Sequence, residues 1–347
     1  MSKFRRGGRS AESEPLSAGR VEYLEAARAR VRAKRIRRTV IIVAALSILI
    51  LFATGVVGTS IARAKDLVDT VGITLFPAAG WPQQTGIMDP EAAYPLSGSF
   101  VEMGGDSCVV YSLKGAKLNS IQSGYARPAI AVGKNRFVLY NRSGTELRVE
   151  SRTQNLYTRT MENAIYLCAV ANAGQVAVAT DDPNSAAKLT VYNAAMEQAL
   201  SWNLTSAQGT PIRMAFSPDS RRIAVAAVTA TGGQLTTNLY TLALSQGDPV
   251  QLAAENSVPQ WLGWLSGDTV LAIYQNRAVL YNAGGGEKAS YDFGGSTLEC
   301  FTAAGEFQWS QSFSARPRAL IPGRKLLILT GNTVQVAAPP ETASSGR

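Results

Sequence analysis

The sequence predicts an all-β fold, a β-propeller of about six four-stranded blades, preceded by one N-terminal transmembrane α-helix. Three observations lead to this prediction. Residues 39–62 form a stretch of 24 residues without a charged side chain, and a cluster of basic residues comes directly before it. In the rest of the chain, short apolar runs recur at spacings of 38, 47 and 48 residues.

The charge of the chain is concentrated at its N-terminus. The net charge is +9 over 347 residues, and residues 1–38 hold 12 basic and 4 acidic side chains, so the remainder is almost neutral. A neutral body argues against a nucleic-acid groove within it. We therefore do not expect nucleic acid as a partner.

The chain contains no histidine. This excludes a Ser-His-Asp or Cys-His relay and removes the commonest ligand of zinc and iron sites. No motif identifies a catalytic, cofactor-binding or metal-ligating residue, and no cofactor is expected. The sequence leaves enzymatic activity open and favours its absence.

Three cysteines, Cys108, Cys168 and Cys300, lie far apart in apolar runs, and no Cys-x-x-Cys is present. An odd number of widely spaced cysteines is a poor disulfide framework. Buried free thiols are the favoured interpretation. One disulfide stays open if the body lies outside the cell.

The uncharged stretch 39–62 is long enough to cross the hydrocarbon core of a bilayer as a helix. Basic residues on the short flank of such a helix remain in the cytoplasm. The sequence therefore predicts a single-pass protein of the cell membrane, with a cytoplasmic N-terminus, an extracytoplasmic C-terminal domain and the lipid bilayer as its first partner. The membrane-flanking basic residues are Arg28, Arg30, Arg32, Lys34, Arg35, Arg37 and Arg38.

Two alternatives apply to this N-terminus. A signal peptide would be cleaved near Ala64, where Ala-Arg-Ala-Lys offers a small-residue pattern. Signal peptides are shorter, however, and here 38 residues already precede the apolar run. Nucleic-acid binding by the basic tail is the other alternative, but basic clusters beside a membrane span usually set its orientation. A retained anchor is favoured.

Composition divides the chain into five segments. Residues 1–38 are a basic cytoplasmic tail with a juxtamembrane helix, and 39–62 are the transmembrane helix. Residues 63–95, with four prolines and three glycines, read as a linker. Residues 96–338 form the propeller, and 339–347 are a disordered tail.

Four segments of the body share one pattern, and their first strands start at Pro128, Tyr166, Arg213 and Trp261. Each has a short apolar strand, a tight turn, a second apolar strand and a third one. Repeats of 40–50 residues holding four strands are typical of propeller blades, because each sheet packs its faces on its neighbours. A β-sandwich or two small β domains are the alternatives.

The third of these segments contains "FSPDSRRIAVAA", in which Ser217, Pro218, Asp219 and Ser220 read as a turn between two strands. This stretch resembles the inner hairpin of WD40-like and TolB-type propeller repeats, although no Gly-His opens a repeat and no Trp-Asp ends one. The whole arrangement resembles bacterial membrane-anchored β-propeller proteins of uncharacterised function. The resemblance implies a fold and says little about function.

Loops between second and third strands should share one rim of the propeller. Two long loops on neighbouring repeats supply candidate binding residues: Asp181, Asp182 and Asn184 in one, Thr229 and Gln234 in the other. The first loop offers oxygen ligands for Ca²⁺, but its spacing departs from an EF-hand, and a solvated turn is the favoured interpretation. Trp261 and Trp264 are interpreted as packing residues on opposite faces of one strand.

The functional prediction is a binding, scaffold or sensor module at the cell envelope, with a protein or an envelope polymer as partner. The alternative is an exported propeller enzyme, a lyase or hydrolase of envelope glycan. Converging carboxylates, or an Arg-Tyr-Glu group, in the central funnel would favour the enzyme. A third possibility is transmembrane signalling through the basic tail.

Overall fold

The computed structural model divides the chain into two compact units, residues 1–58 and 59–347. It describes residues 38–39, 42–43, 64, 66, 68–73, 80, 82, 84–88, 90–245, 247–292, 297–302, 306–313, 317–321, 327–330 and 333–336. In the first unit the four described residues are helical. The second unit holds a short helix followed by 25 β-strands among the described residues.

The strands form seven antiparallel sheets in the described part of the second unit, here numbered in chain order. Sheets 1 to 5 have four strands each, sheet 6 has two and sheet 7 has three. About six four-stranded sheets were predicted, and among the described residues five sheets have four strands and two have fewer.

The strand bounds are as follows. Sheet 1 has β1 (Ala92–Leu96), β2 (Ser99–Met103), β3 (Ser107–Ser112) and β4 (Lys117–Gln122); sheet 2 has β5 (Pro128–Val132), β6 (Arg136–Asn141), β7 (Glu146–Ser151) and β8 (Asn155–Thr160). Sheet 3 has β9 (Ile165–Val170), β10 (Val176–Thr180), β11 (Ala187–Tyr192) and β12 (Gln198–Leu204); sheet 4 has β13 (Thr210–Phe216), β14 (Arg222–Thr231), β15 (Gln234–Ala243) and β16 (Val250–Glu255). Sheet 5 has β17 (Trp261–Trp264), β18 (Thr269–Ile273), β19 (Arg277–Asn282) and β20 (Glu287–Asp292); sheet 6 has β21 (Thr297–Phe301) and β22 (Phe307–Ser312); sheet 7 has β23 (Pro317–Ile321), β24 (Leu327–Thr330) and β25 (Thr333–Val336).

Within each sheet the strands are ordered as in the chain, as expected of a meander joined by tight turns. The first strands of sheets 1 to 5 contact one another in sequence: β1 with β5, β5 with β9, β9 with β13, and β13 with β17. Successive sheets therefore turn around a shared interior lined by their first strands. This is the arrangement of a β-propeller.

The core consists of layers between successive sheets. On β6, Phe137 and Leu139 pack against sheet 1, whereas Val138 and Tyr140 pack against sheet 3. The same alternation continues between sheets 3 and 4 and between sheets 4 and 5. Since both faces of a sheet are buried, its central strands read as continuous apolar runs instead of alternating ones.

The predicted starts of the repeats agree closely with the structure. β5 and β17 begin at Pro128 and Trp261, β9 begins at Ile165, and β13 begins at Thr210. The turn from Ser217 to Ser220 joins β13 to β14, as predicted. Ser217 Oγ donates to Asp219 Oδ1 at 2.6 Å and accepts from the amide of Arg222 at 3.0 Å, so side chains supply the turn's hydrogen bonds.

Residues 63–95, predicted as a linker, contain ordered contacts with the sheets. Residues 64, 66 and 68–73 are helical, and we call this segment the docking helix. Further along, the amide of Gly86 donates to Tyr111 Oη at 2.9 Å, and Ile87 is buried with Tyr111 and Val109 on sheet 1.

The predicted membrane span 39–62 lies outside the described residues except at Thr39, Ile42 and Val43. Among the helices that the structure does describe, none has the length and apolar character needed to cross a bilayer.

Candidate functional site: a central channel and a docked helix

A channel runs along the first strands of sheets 1 to 5 and has a volume of about 1100 Å³. It exists because the first strand of each sheet has a partner on one side only, which leaves its other edge facing the shared interior. The residues lining it are Tyr94 to Ser97, Ile130 to Lys134, Cys168 to Val170, Asn172, Arg213 to Phe216, Gln260 and Trp261.

Two of these lining residues are cations, Lys134 and Arg213, and both are exposed. Arg213 Nη1 donates to the carbonyl of Ile212 at 2.8 Å. None of the described residues that line the channel is an Asp or a Glu. The lining thus lacks the paired carboxylates of a glycoside hydrolase and the acidic member of an Arg-Tyr-Glu group.

The two tryptophans of β17 have different environments. Trp264 packs beside the layer between sheets 4 and 5, and its Nε1 donates to the carbonyl of Ala215 at 2.9 Å, so its packing role is confirmed. Trp261 is 46% exposed and lines the channel, where packing was predicted. Its ring lies over Gly263, where an added Cβ would stand 2.1 Å from the ring.

The predicted rim residues lie on sheets 3 and 4, at the end where second strands turn into third strands. We call this the rim end, and the opposite end, where first strands turn into second strands, the docking end. Asp181, Asp182 and Asn184 lie between β10 and β11, as predicted. Thr229 and Gln234 lie within β14 and β15, because this hairpin is longer than the others and turns only at Gly232 and Gly233.

The acidic rim loop is held by its own hydrogen bonds. Asp181 Oδ1 accepts from Tyr166 Oη at 2.7 Å, and Asp182 Oδ2 accepts from Ser185 Oγ at 2.5 Å. Desolvation, followed by the bond to Asp181, raises the pKa of Tyr166 to about 12. No cluster of three or more potential metal ligands occurs in the described residues.

At the docking end, the docking helix is joined to sheet 2 by two ion pairs. The first joins Asp66 to Arg136, the first residue of β6. Arg136 Nε lies 3.0 and 3.1 Å from the two carboxylate oxygens, and its side chain is only 2% exposed. Its Nη1 donates to the carbonyl of Ala194 on sheet 3 at 2.7 Å, and Gly174 leaves the guanidinium just enough room.

The second ion pair joins Asp69 to Arg152, in the turn after β7. The Nε–Oδ2 distance is 3.0 Å, and the side chains are 3% and 1% exposed. Arg152 also donates to Thr70 Oγ1 at 2.6 Å and to the carbonyls of Asp66 at 3.2 Å and Ser97 at 2.8 Å. Its guanidinium therefore connects the docking helix to sheet 1 as well as sheet 2.

Buried arginines are rare, and burial of a charge is costly unless it is paired and hydrogen-bonded. Arg136 and Arg152 are the largest fully buried side chains among the described residues. Asp66 and Asp69, three residues apart, lie on one face of the helix. Sequence reasoning missed this site. Its signals are two acidic residues at helical spacing directly after the apolar stretch and two arginines in tight turns.

The three cysteines are free thiols. Cys108 and Cys168 are buried, and Cys168 also lines the channel. Burial raises the pKa of Cys108 to about 11, with Glu150 adding to the effect, and burial alone raises the pKa of Cys168. The favoured sequence interpretation, free buried thiols, is confirmed for these two; Cys300 is half-buried.

Comparison with known families gives one match, a family of unknown function called DUF5711, over residues 83–289. The chain belongs to this family. The matched region covers sheets 1 to 4 and nearly all of sheet 5, including the channel-lining strands. No curated protein sequence matches the chain.

Several solved β-propeller structures are similar to this member of DUF5711. KlAtg21, in a complex with the coiled coil of AgAtg16, has a TM-score of 0.50 at 9% identity, over 73% of this chain and 81% of that one. Hsv2 of Kluyveromyces lactis has a TM-score of 0.40 at 11% identity, over 64% of this chain and 73% of that one. BBS1N in complex with ARL6DN has a TM-score of 0.44 at 14% identity, over 71% of this chain and 88% of that one. At these identities the likeness concerns the fold.

Of the predicted membrane-flanking basic residues, the structure describes Arg38 alone, and it is helical. The other six lie outside the described residues. Their role at the bilayer stays a prediction.

Proposed function

We propose that this DUF5711 protein is a single-pass membrane protein that displays an extracytoplasmic β-propeller and binds a protein partner there. It acts as a scaffold or sensor at the cell envelope. The basic residues before the apolar stretch 39–62 keep the N-terminus in the cytoplasm.

The observation that carries the proposal is the docking helix. Its described residues start at 64, shortly after the apolar stretch 39–62 in the sequence, and both of its carboxylates form buried ion pairs with the propeller. A free tether has no need of such contacts. Removing one partner of a buried ion pair strands a charge, so the two pairs hold the segment that follows the apolar stretch against the docking end of the propeller.

We expect the partner to bind at the rim end of the propeller, where the rim loops and the channel mouth lie. Gln260 and Trp261 lie there, at the start of the first strand of sheet 5, and both are exposed.

Binding is favoured over glycan chemistry by the composition of the channel. Its described lining combines apolar side chains with two cations and no Asp or Glu, so among the described residues it lacks the paired carboxylates on which most glycoside hydrolases depend. Similar propellers, among them KlAtg21 with a coiled coil of AgAtg16, are recorded in complexes with proteins. A protein partner is consistent with both points.

The proposal is tested by site-specific photocrosslinking in intact cells. A photoreactive amino acid at Gln260, beside the channel mouth, should give a discrete crosslinked product. The same group at Thr158, exposed on the outer strand β8, serves as the matched control and should give none. Equal products at both positions, or none at Gln260, would contradict a rim-end partner site.

A further inference from the structure

We infer that the central channel binds an acidic, partly apolar segment of a partner protein in extended conformation. The inference deepens the binding function proposed above and rests on it. It depends on the charge of the lining, on its apolar walls and on the free edges of the first strands.

The charge of the channel selects an anion. Lys134 and Arg213 are exposed, and no described lining residue carries a negative charge that would neutralise them. No ion pair of either residue is seen in the described part of the chain. A carboxylate entering the channel would meet both cations in surroundings where protein walls reduce screening by water.

The two cations lie at different depths. Counted from the rim end, Arg213 is the fourth residue of β13, whereas Lys134 follows the end of β5, seventh from Pro128. Acidic side chains at different positions along an extended peptide suit two cations at different depths.

Apolar side chains form part of the channel wall. Ile130, Met214, Phe216 and Tyr94 line the channel, and Trp261 is 46% exposed at its mouth. These side chains suit apolar residues placed between the acidic ones. A polyanionic glycan or phosphate polymer carries charge along its whole length, whereas the described lining residues include two cations.

The first strands supply the third element of recognition. β5, β9 and β13 each pair with one neighbouring strand, so their other edges face the channel, although the backbone N–H and C=O of Ile165 at the start of β9 already bond to the turn after β6. An extended peptide presents the complementary groups along its own backbone. The peptide class is therefore favoured over an anionic polymer, which lacks a regular series of amide donors and acceptors.

The test uses the full chain in phosphatidylcholine nanodiscs and a fluorescein-labelled ten-residue peptide that alternates Glu and Val. Its twin carries Gln in place of Glu, and empty nanodiscs give the background. Fluorescence anisotropy should show that the Glu peptide binds at least about 10-fold more tightly than its twin, and that binding weakens with salt.

Variants locate the site. Arg213→Gln and Lys134→Gln should each weaken binding by about 3- to 5-fold, the range of a partly exposed ion pair. Lys114→Gln, an exposed cation in the turn after β3, should leave binding unchanged. All three side chains are exposed, so thermal melting monitored by circular dichroism should show unaltered folding.

The inference is overturned if the two peptides bind equally, if neither binds, or if both channel variants bind as the unaltered protein does. It is also overturned if polyphosphate binds with the same dependence on Arg213 and Lys134 while the Glu peptide does not. Binding in nanodiscs does not depend on which side of a cell membrane the propeller faces. If the peptide does not bind, the proposed membrane topology is unaffected. If the topology is wrong, the result of the peptide-binding experiment still holds.

Discussion

Arg152 Nε lies 3.0 Å from Asp69 Oδ2, with the two side chains 1% and 3% exposed. This contact joins residues 83 positions apart in the chain and attaches the docking helix to the propeller. Replacing a buried ion pair by apolar groups is often neutral, but removing one partner leaves a charge stranded. The ion pair therefore fixes the position of the docking helix on the propeller more than it raises the overall stability of the protein.

Asp69→Ala should lower the free energy of unfolding by about 3–5 kcal/mol, because it leaves the buried Arg152 guanidinium without its carboxylate. The control is Asp268→Ala, which removes an exposed ion pair with Lys288 at 3.6 Å and should cost less than about 1 kcal/mol. Denaturant titration of the full chain in detergent measures both. Equal losses of unfolding free energy in the two variants would show that the buried Asp69 contact stabilises the protein no more than the exposed Asp268 contact does.

Gly174→Ala tests the space around the other buried arginine. Gly174 has φ +87°, and an added Cβ would stand 3.3 Å from the Arg136 guanidinium. Gly286 has φ +89° with open space around it, so Gly286→Ala reports the backbone strain alone, about 1–2 kcal/mol. Gly174→Ala should cost about 1 kcal/mol more. Identical unfolding free energies would mean that Arg136 moves aside freely.

The buried thiols should be inert in the folded protein. Because burial raises the pKa of Cys108 to about 11, its reactive thiolate is scarce at neutral pH. Treatment with a maleimide at pH 7 should label Cys108 and Cys168 only after denaturation, as peptide mass spectrometry would report. Rapid labelling of either cysteine in the native state would contradict their burial.

The same shift predicts how stability changes with alkaline pH. The folded state holds the Cys108 proton to about pH 11, whereas an unfolded thiol releases it near pH 9. The unfolded state thus binds fewer protons above pH 9, and stability should fall as pH rises through that range. Cys108→Ala should reduce this fall relative to the unaltered protein. If the stability of the variant falls as steeply with rising pH as that of the unaltered protein, Cys108 is not the cause of the fall.

Gly263→Ala should displace the Trp261 ring from the channel wall, because the added Cβ would overlap it at 2.1 Å. The expected result is a change in tryptophan emission and in its quenching by iodide. Gly284→Ala, whose Cβ would meet only an ordinary contact at 3.7 Å, should change neither. If both variants behave alike, the ring does not rest on Gly263.

The repeat starts and the turn at Ser217–Ser220 could be predicted from the sequence because they depend on local rules. Apolar runs buried on both faces and Gly, Asn or Asp turns recur in each blade. The long β14–β15 hairpin was predicted shorter than it is. The Thr-rich ends of its two strands have the composition of a loop. Only the backbone pairing between the strands, such as that of Thr229 with Thr236, identifies them as strand residues.

The docking helix and the channel depend on contacts between distant parts of the chain. Nothing near Asp66 in the sequence points to Arg136, and prolines and glycines in residues 77–95 suggest a linker. The channel lining could not be assigned either, because Lys134 and Arg213 become neighbours of one cavity only when five sheets are placed around it. Their exposure, and the lack of Asp and Glu among the described lining residues, are properties of that assembly.

The central claim, an extracytoplasmic propeller on a membrane anchor, is tested most directly by a protease site in the β14–β15 turn. The recognition sequence of a site-specific protease is inserted between Gly232 and Gly233, which are exposed and have open space around them. A second version carries the same insertion within residues 1–19. We expect added protease to cut the first in intact cells and the second only after permeabilisation. Cleavage of the second alone in intact cells, or of the first only after permeabilisation, would contradict the proposed topology.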